Sequence, residues 1–414
     1  MTALAESGIA WSQLKSRLVD LKSTDVDWKK GRLPVYVYQY NEELMKVSQE
    51  AYMEFFTENA LGAGKAFPSV KVIEDEVVAM ALDVLGGAPD SAGTFTSGGS
   101  ESIFLALKTA RDWARAERGI TAPKIVMPWS GHATATKAAE YLGMEVVRTP
   151  LDAERRSDIG ALHAAIDART IMLYGSAPSY PHGVFDRIEA MGQLALEHNL
   201  WLHVDACVGG FLAPFARELG HPIPAFDLSV PGVSSVSADM HKYGFAAKGA
   251  SVMLLRDATH KKYQQFNFSD WPRGNYATQT AQGTRAAGPI ASSWAVMNTL
   301  GRQGYRDIAK VIMDTVAQLA KGVEAIDGLR VVRPHDLCMV LYESVDAALD
   351  INAVAELMTQ RGWFVGRSIS PVAIHVAVNP LLAPALPAYL ADLAECVAVA
   401  RKQKKVGAVD HNTY

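Results

Sequence analysis

The chain has 414 residues, 49% of them hydrophobic, with 40 Lys and Arg against 44 Asp and Glu and a formal net charge of −4. That length suits two domains, or one large α/β domain with an appendage, around a sizeable core, and the near-neutral balance excludes a nucleic-acid binder. Three scattered cysteines, Cys207, Cys338 and Cys396, exclude a disulfide scaffold and fit a reducing cytosol, so a cytoplasmic location is expected.

The opening stretch, MTALAESGIAWSQLKSRL, is amphipathic and has no signal-peptide core. No apolar run in the chain approaches about 18 residues, so no membrane-spanning helix is expected. Residues 1–57 read as a helical arm: a helix, a polar turn, aromatics at alternate positions and a second helix from about Glu42. Tyr36, Tyr38 and Tyr40 alternate in a loop, an alternation that also fits an edge strand packing rings on one face. A large α/β unit is expected over 58–288. Phe67-Pro68-Ser69 opens a helix whose apolar positions fall at Val72, Ile73, Val77, Val78 and 80–82.

Ser97-Gly98-Gly99-Ser100 runs directly into a helix carrying Leu105, Ala106 and Leu107. Such a helix end presents free N–H groups and partial positive charge, and small residues let a phosphate approach them. Capping alone would also account for Ser100. A strand at 124–128 precedes His132, which is followed by Thr134, Thr136 and Lys137. The strand 145–151 and the helix ALHAAIDA continue the alternation. A β-branched run then ends in a Gly-Ser-Ala-Pro loop, and Asp186 reads as the N-cap of the next helix. Tyr180, in that loop, reads either as a phenol at a pocket mouth or as an aromatic that locks the loop.

The stretch Trp201–Gly249 carries most of the chemistry. Trp201, Leu202 and Val204 form a short strand ending on Asp205, followed by a small-residue turn over 206–210. Carboxyl ends of parallel strands face the ligand crevice of an α/β sheet. His203, Asp205 and Cys207 share alternate positions, but no second ligand pair lies nearby, so no metal is expected. The next strand is expected to carry Asp239, His241 and Lys242, the lysine being either a surface ion-pair partner or an amine kept for covalent work. A polar, Gly-rich loop follows (FNFSDWPRGNYATQTAQGTRAAG). From about Pro289 a long amphipathic helix leads into a small α+β domain (289–414). Its strands are LRVVRP, CMVLYES, WFVGRS and AIHVAV, with helices near 351–360 and 383–402. The basic run Arg401–Lys405 reads as a solvated helix end, and VGAVDHNTY as a loose tail.

Together Lys242, Asp205, His132 and Gly99-Ser100 describe a pyridoxal 5'-phosphate (PLP) site, with a lysine for the cofactor aldehyde and an acid for its ring nitrogen. The segments HKYGFAAKG, GSAPSYPHGVFD, TSGGSES, HATATKA and DWPRGNYATQTAQGTRAAGP resemble the sphingosine-1-phosphate lyase family, soluble bacterial type, within the group II PLP-dependent decarboxylases. The resemblance implies a PLP-dependent transferase fold of type I: a large, mostly parallel sheet with helices on both faces, a small α+β C-terminal domain, and a homodimer with a shared active site. It implies a PLP Schiff base on Lys242, Asp205 on the ring nitrogen and His132 stacked on the ring. Gly99, Ser100 and His241, with Gly283 and Thr284 from the other subunit, would hold the cofactor phosphate. Tyr38 and Lys248 would contact the substrate, and Lys242 and Tyr180 would be the catalytic pair. The implied activity is a carbon–carbon lyase that cleaves a sphingosine 1-phosphate-like amino alcohol into an aldehyde and phosphoethanolamine. The alternatives are a PLP-dependent amino-acid decarboxylase and a PLP-binding protein without turnover. The chain departs from the family pattern at Gly62 or Ala63, where a phosphate-binding His is usual, and at Thr134, Arg273 and Ala286.

Overall fold

The structure is a computed structural model that describes residues 3, 4 and 6–409. Seven strands form the main sheet: β1 (Ala92–Thr96), β2 (Lys124–Pro128), β3 (Glu145–Thr149), β4 (Thr170–Ser176), β5 (Trp201–Asp205), β6 (Val233–Ala238) and β7 (Ser251–Leu255). Their order is β1-β7-β6-β5-β4-β2-β3. β3, β2, β4, β5 and β6 are parallel, and β7 runs antiparallel to both of its neighbours. β2, β4, β5 and β7 are buried at every position, as expected of strands covered by helices on both faces. Register sets Ser176 beside Asp205, and Asp205 beside Ser237. The carboxyl ends of β4, β5 and β6 therefore form one shelf.

The strand predicted to carry Asp239, His241 and Lys242 stops at Ala238, and all three lie in the turn beyond it. The antiparallel partner β7 supplies the reason, because the chain must reverse here before it can pair again. Inside that turn the Lys242 N–H donates to the Asp239 carbonyl at 3.3 Å, and the Phe245 N–H to the Lys242 carbonyl at 3.0 Å.

β8 (Phe266–Phe268) and β9 (Tyr276–Thr278) form a hairpin in the polar loop. The helix Gly288–Glu324, broken at Gly301, then leads to a second antiparallel sheet. Its strands β10 (Leu329–Val331), β11 (Met339–Ser344), β12 (Gly366–Ile369) and β13 (Val372–Ala377) are ordered β10-β11-β13-β12.

Several local expectations are corrected. Tyr36, Tyr38 and Tyr40 lie on no strand: Tyr36 takes a φ of +68° and packs on Phe364, while Tyr38 packs on Tyr243. Alternation here reflects separate ring contacts rather than a ladder. The helix Pro68–Val84 buries Val77 and Ala81 as expected, but Val72 is exposed and Val70 is buried in its place. Asp186 is not an N-cap. The helix Ile188–Glu197 starts on Arg187 without a side-chain cap, and the buried Asp186 carboxylate accepts the Ser157 and Ser176 N–H groups at 2.8 Å each. Burial pushes its pKa up to about 6, against the pull of those hydrogen bonds.

One helix, Leu382–Gln403, does have the length and mean hydropathy (1.4) to cross a membrane, contrary to expectation. Here it packs on the helices Ile351–Gln360 and Gly288–Glu324, burying Leu382, Leu386, Tyr389, Leu393 and Cys396 along one face. The start of the supposed loose tail is tied down: Gly407 and Ala408 donate to Asp350 and Glu356 at 2.9 and 2.8 Å, and Arg367 donates to the Ala408 carbonyl. Residues 410–414 of that tail lie outside the described residues.

The two sheets are latched beside the site. Arg156 forms a two-pronged pair with Asp336 at 2.5 and 3.0 Å, and Asp336 also accepts the Phe185 N–H at 2.8 Å. Both side chains are about 15% exposed. Asp336→Ala strands a mostly buried guanidinium and an N–H. It should lower the unfolding free energy by about 2–4 kcal/mol, read as a fall in the urea midpoint, whereas an unmoved midpoint would reduce the latch to a surface contact.

Candidate active site

Asp205 closes β5 and is 9% exposed. Its Oδ2 accepts the Tyr174 hydroxyl at 2.6 Å, and its Oδ1 the Cys207 N–H at 3.0 Å. Burial alone would raise its pKa, but His132, the Tyr174 hydroxyl and Cys207 outweigh it and hold the carboxyl below its usual range. The site therefore keeps a buried anion whose hydrogen-bond donors are both neutral. His203 does not orient Asp205: it hydrogen-bonds Ser235 and Ser237 at 2.8 and 3.2 Å. Burial brings its pKa down to about 4, so it is neutral. Tyr174, which packs on the His203 ring, makes the orienting contact.

Lys242 sits across the shelf, its Nζ 3.0 Å from Asp239 Oδ2. Desolvation pulls the amine toward neutrality, but Asp239 and, more weakly, Cys207, Tyr38 and Asp205 keep its pKa well above the ordinary value. His241 Nε2 lies 3.6 Å from the same carboxylate, and its Nδ1 accepts the Ala250 N–H. The amino end of the helix Gly99–Arg118 abuts this cluster. A Cβ on Gly99 would lie 2.8 Å from Cys207 Sγ and 2.9 Å from Asp239 Oδ1, so only glycine fits.

His132 caps the helix Ala133–Tyr141, accepting the Thr134 N–H at Nδ1, and burial lowers its pKa. Its ring is 6.5 Å from that of Tyr180. The Tyr180 carbonyl accepts His375 Nε2 at 2.9 Å, and the two rings lie 5.0 Å apart, so a β13 residue positions the loop. Lys248 donates to the His241 carbonyl at 3.1 Å and lies 5.0 Å from the Tyr38 ring centroid. Desolvation of its ammonium, with the Lys242 charge nearby, brings its pKa down to about 8.

Tyr38, His132, Tyr180, Asp205, Lys242 and Lys248 line one cavity of about 340 Å³, which His241 also borders. Val35, Tyr36 and Tyr180 are shared with a neighbouring cavity of about 1260 Å³, whose walls include Val26, Pro34, Trp129, Trp363 and Phe364. Gly99 flanks the smaller cavity through Cys207 and Asp239, and Ser100 is exposed on the first helical turn. Gly283 and Thr284 do not line it. Thr284 accepts from Asn59 at 3.3 Å, and the preceding Ala281 and Gln282 N–H groups bind Glu101. Gly62 and Ala63 are also outside it, beside Phe67 and in the core respectively.

Sequence reasoning left Asp239, Tyr174 and His375 without roles. Asp239 was signalled by its i−3 spacing to Lys242, and Tyr174 by its place two residues before the shelf. His375 gave no signal, being almost 200 residues from the loop it holds.

The set fits PLP on its own chemistry. A buried carboxylate with neutral donors calls for a cationic ring, an amine shares its cavity, and the free N–H groups of a helix amino end lie beside it, as a phosphate requires. Tyr174→Phe removes a neutral donor from a buried anion, a loss of about 1–3 kcal/mol. PLP affinity, titrated by absorbance, should fall roughly ten- to hundredfold, and unchanged affinity would dissociate Asp205 from the cofactor.

The family model described as the pyridoxal-dependent decarboxylase conserved domain matches residues 64–343. The sphingosine-1-phosphate lyase of Oryza sativa subsp. japonica is 38% identical over 404 residues, covering 96% of this chain and 74% of that protein. The lyase of Arabidopsis thaliana is 41% identical over 336 residues, 80% of this chain and 61% of that protein. A solved sphingosine-1-phosphate lyase from Burkholderia pseudomallei K96243 superposes with a TM-score of 0.92 at 36% identity, covering 98% of this chain and 94% of that one. The glutamate decarboxylase of Lactobacillus brevis, at 19% identity and a TM-score of 0.85 over 99% of this chain and 96% of that one, shares the fold.

Proposed function

This chain belongs to the sphingosine-1-phosphate lyase family of pyridoxal-dependent decarboxylase-like enzymes, and we propose that it is a carbon–carbon lyase for a long-chain, phosphorylated amino alcohol. The products are an aldehyde and phosphoethanolamine. The observation that carries this reading is the pair of adjoining cavities. A small one brings Lys242, His241 and Lys248 together, and a much larger one adjoins it at Tyr36 and Tyr180, its walls mixing Pro34, Trp363 and Phe364 with charged side chains such as Asp25, Lys30 and Arg32.

PLP, when bound, supplies an electron sink for the pair left behind as the carbon–carbon bond breaks. Asp205 keeps negative charge where the ring nitrogen belongs, and Tyr174 and the Cys207 N–H fix its orientation. The amino end of the helix Gly99–Arg118, with Ser100 and His241, would hold the cofactor phosphate. Lys242 anchors the cofactor. His132 walls the cavity at the ring position. Tyr180, held by His375, or Lys242 takes the proton of the substrate 3-hydroxyl. Lys248 and Tyr38 meet the substrate, the lysine as a cation for its phosphate below about pH 8. Gly283 and Thr284 are assigned to the site of a partner in a cytoplasmic homodimer, reached through the loop pinned at Glu101.

Mass spectrometry after incubating the PLP-loaded protein with sphingosine 1-phosphate tests this. Fatty aldehyde and phosphoethanolamine are expected, Lys242→Ala should abolish them, and Lys248→Met should raise KM roughly tenfold by removing a charge-assisted phosphate contact. Carbon dioxide released from an amino acid, with no aldehyde, would make the chain a decarboxylase instead.

A further inference from the structure

Asp239 is a buried carboxylate of the site that the scheme above does not use. Its side chain is 2% exposed, and Oδ2 lies 3.0 Å from Lys242 Nζ. Oδ1 is buried with no hydrogen-bond partner and faces the amino end of the helix Gly99–Arg118, 2.9 Å from where a Gly99 Cβ would stand. The Lys242 amine on one side and the amino end of the helix on the other suit a carboxylate buried here.

Other groups face the Lys242 amine: Asp205 and Cys207 at the end of β5, Tyr38 from the amino-terminal segment, His132 from the next helix, Cys338 before β11, and His241 and Lys248 in its own loop. Among the described residues, Asp239 is the one carboxylate in ion-pair contact with it. The contact is also local. Both residues sit in the single turn between β6 and β7, closed by the Lys242 N–H on the Asp239 carbonyl, so the pair needs no domain movement to form.

We propose that Asp239 is a positioning residue for Lys242, holding its amine as a tethered ammonium at the cavity edge whenever that amine is not bonded to the cofactor. A substrate amine that replaces Lys242 then meets an open cavity, because the released side chain has a fixed place to go. An ammonium gives a proton and cannot take one, so while tethered in this way Lys242 is not the group that removes the substrate hydroxyl proton. The inference rests on PLP as the cofactor and is independent of which substrate is cleaved.

The test follows capture of PLP by the cofactor-free full-length protein, by absorbance, from about pH 6 to 12. Capture needs the neutral amine. In the wild type the rate should therefore keep rising beyond the ordinary lysine pKa of about 10.4, because Asp239 favours the protonated form. Asp239→Asn removes that opposition to desolvation, and its profile should move to lower pH. Asp239→Glu, which keeps the charge, should stay with the wild type. Thermal melting checks that each variant is folded. An Asp239→Asn profile superimposed on the wild type would overturn the proposal, as would a wild-type midpoint below that of an ordinary lysine, which needs no variant. Absence of any wild-type capture would overturn it together with the cofactor reading. Failure to cleave sphingosine 1-phosphate, with capture as described, would leave it standing.

Discussion

A carboxylate kept ionised inside the protein is the constraint on which the rest of this site depends. Asp205 could lower its cost by taking a proton, yet a tyrosine hydroxyl, a backbone N–H and a nearby histidine hold it as the anion. A charge so maintained, with neutral hydrogen-bond donors, suits a cation that arrives with the ligand. Its two hydrogen bonds come from β4 and from the turn after β5, so the strand register that sets Ser176 beside Asp205 also sets the charge. The sheet is therefore the scaffold of an electrostatic arrangement, and the cofactor completes it.

The second organising feature is the reversal between β6 and β7. A single antiparallel strand in an otherwise parallel set is reached by a chain reversal, here the connection from Ala238 to Ser251, where parallel neighbours would have a crossover. That turn presents Asp239, His241 and Lys242 to the shelf at once, and the loop leading into β7 adds Lys248. The small domain contributes from the opposite side: His375 on β13 holds the Tyr180 loop, and His182 from that loop donates to the Ser370 carbonyl at 2.9 Å. Tyr180 is thus set by both units, and the Arg156–Asp336 latch stiffens the same junction.

Much of this was legible in the sequence because it is local. The strand ending on Asp205, the glycine turn opening the helix at Gly99 and the His241-Lys242 pair are short-range patterns, and the alternation of strands and helices follows from hydrophobic period. What failed was decided elsewhere in the chain. Tyr36 and Tyr38 alternate like a strand, but each finds a ring from a distant segment and no ladder partner. Asp186 has the look of a cap, yet backbone N–H groups from two other segments claim its carboxylate. Leu382–Gln403 is apolar enough for a membrane because the small domain needs one long buried face. The role of His375 was invisible for the same reason, since domain packing places it, and Tyr174 gave only its position before the shelf.

The central claim is that the turn after β6 delivers the cofactor lysine. It is tested most directly by reducing the PLP-loaded protein with borohydride, digesting it and locating the pyridoxyl group by peptide mass spectrometry. The account predicts the label on Lys242 alone. A label on Lys248, or on any lysine outside the cavity, would contradict it.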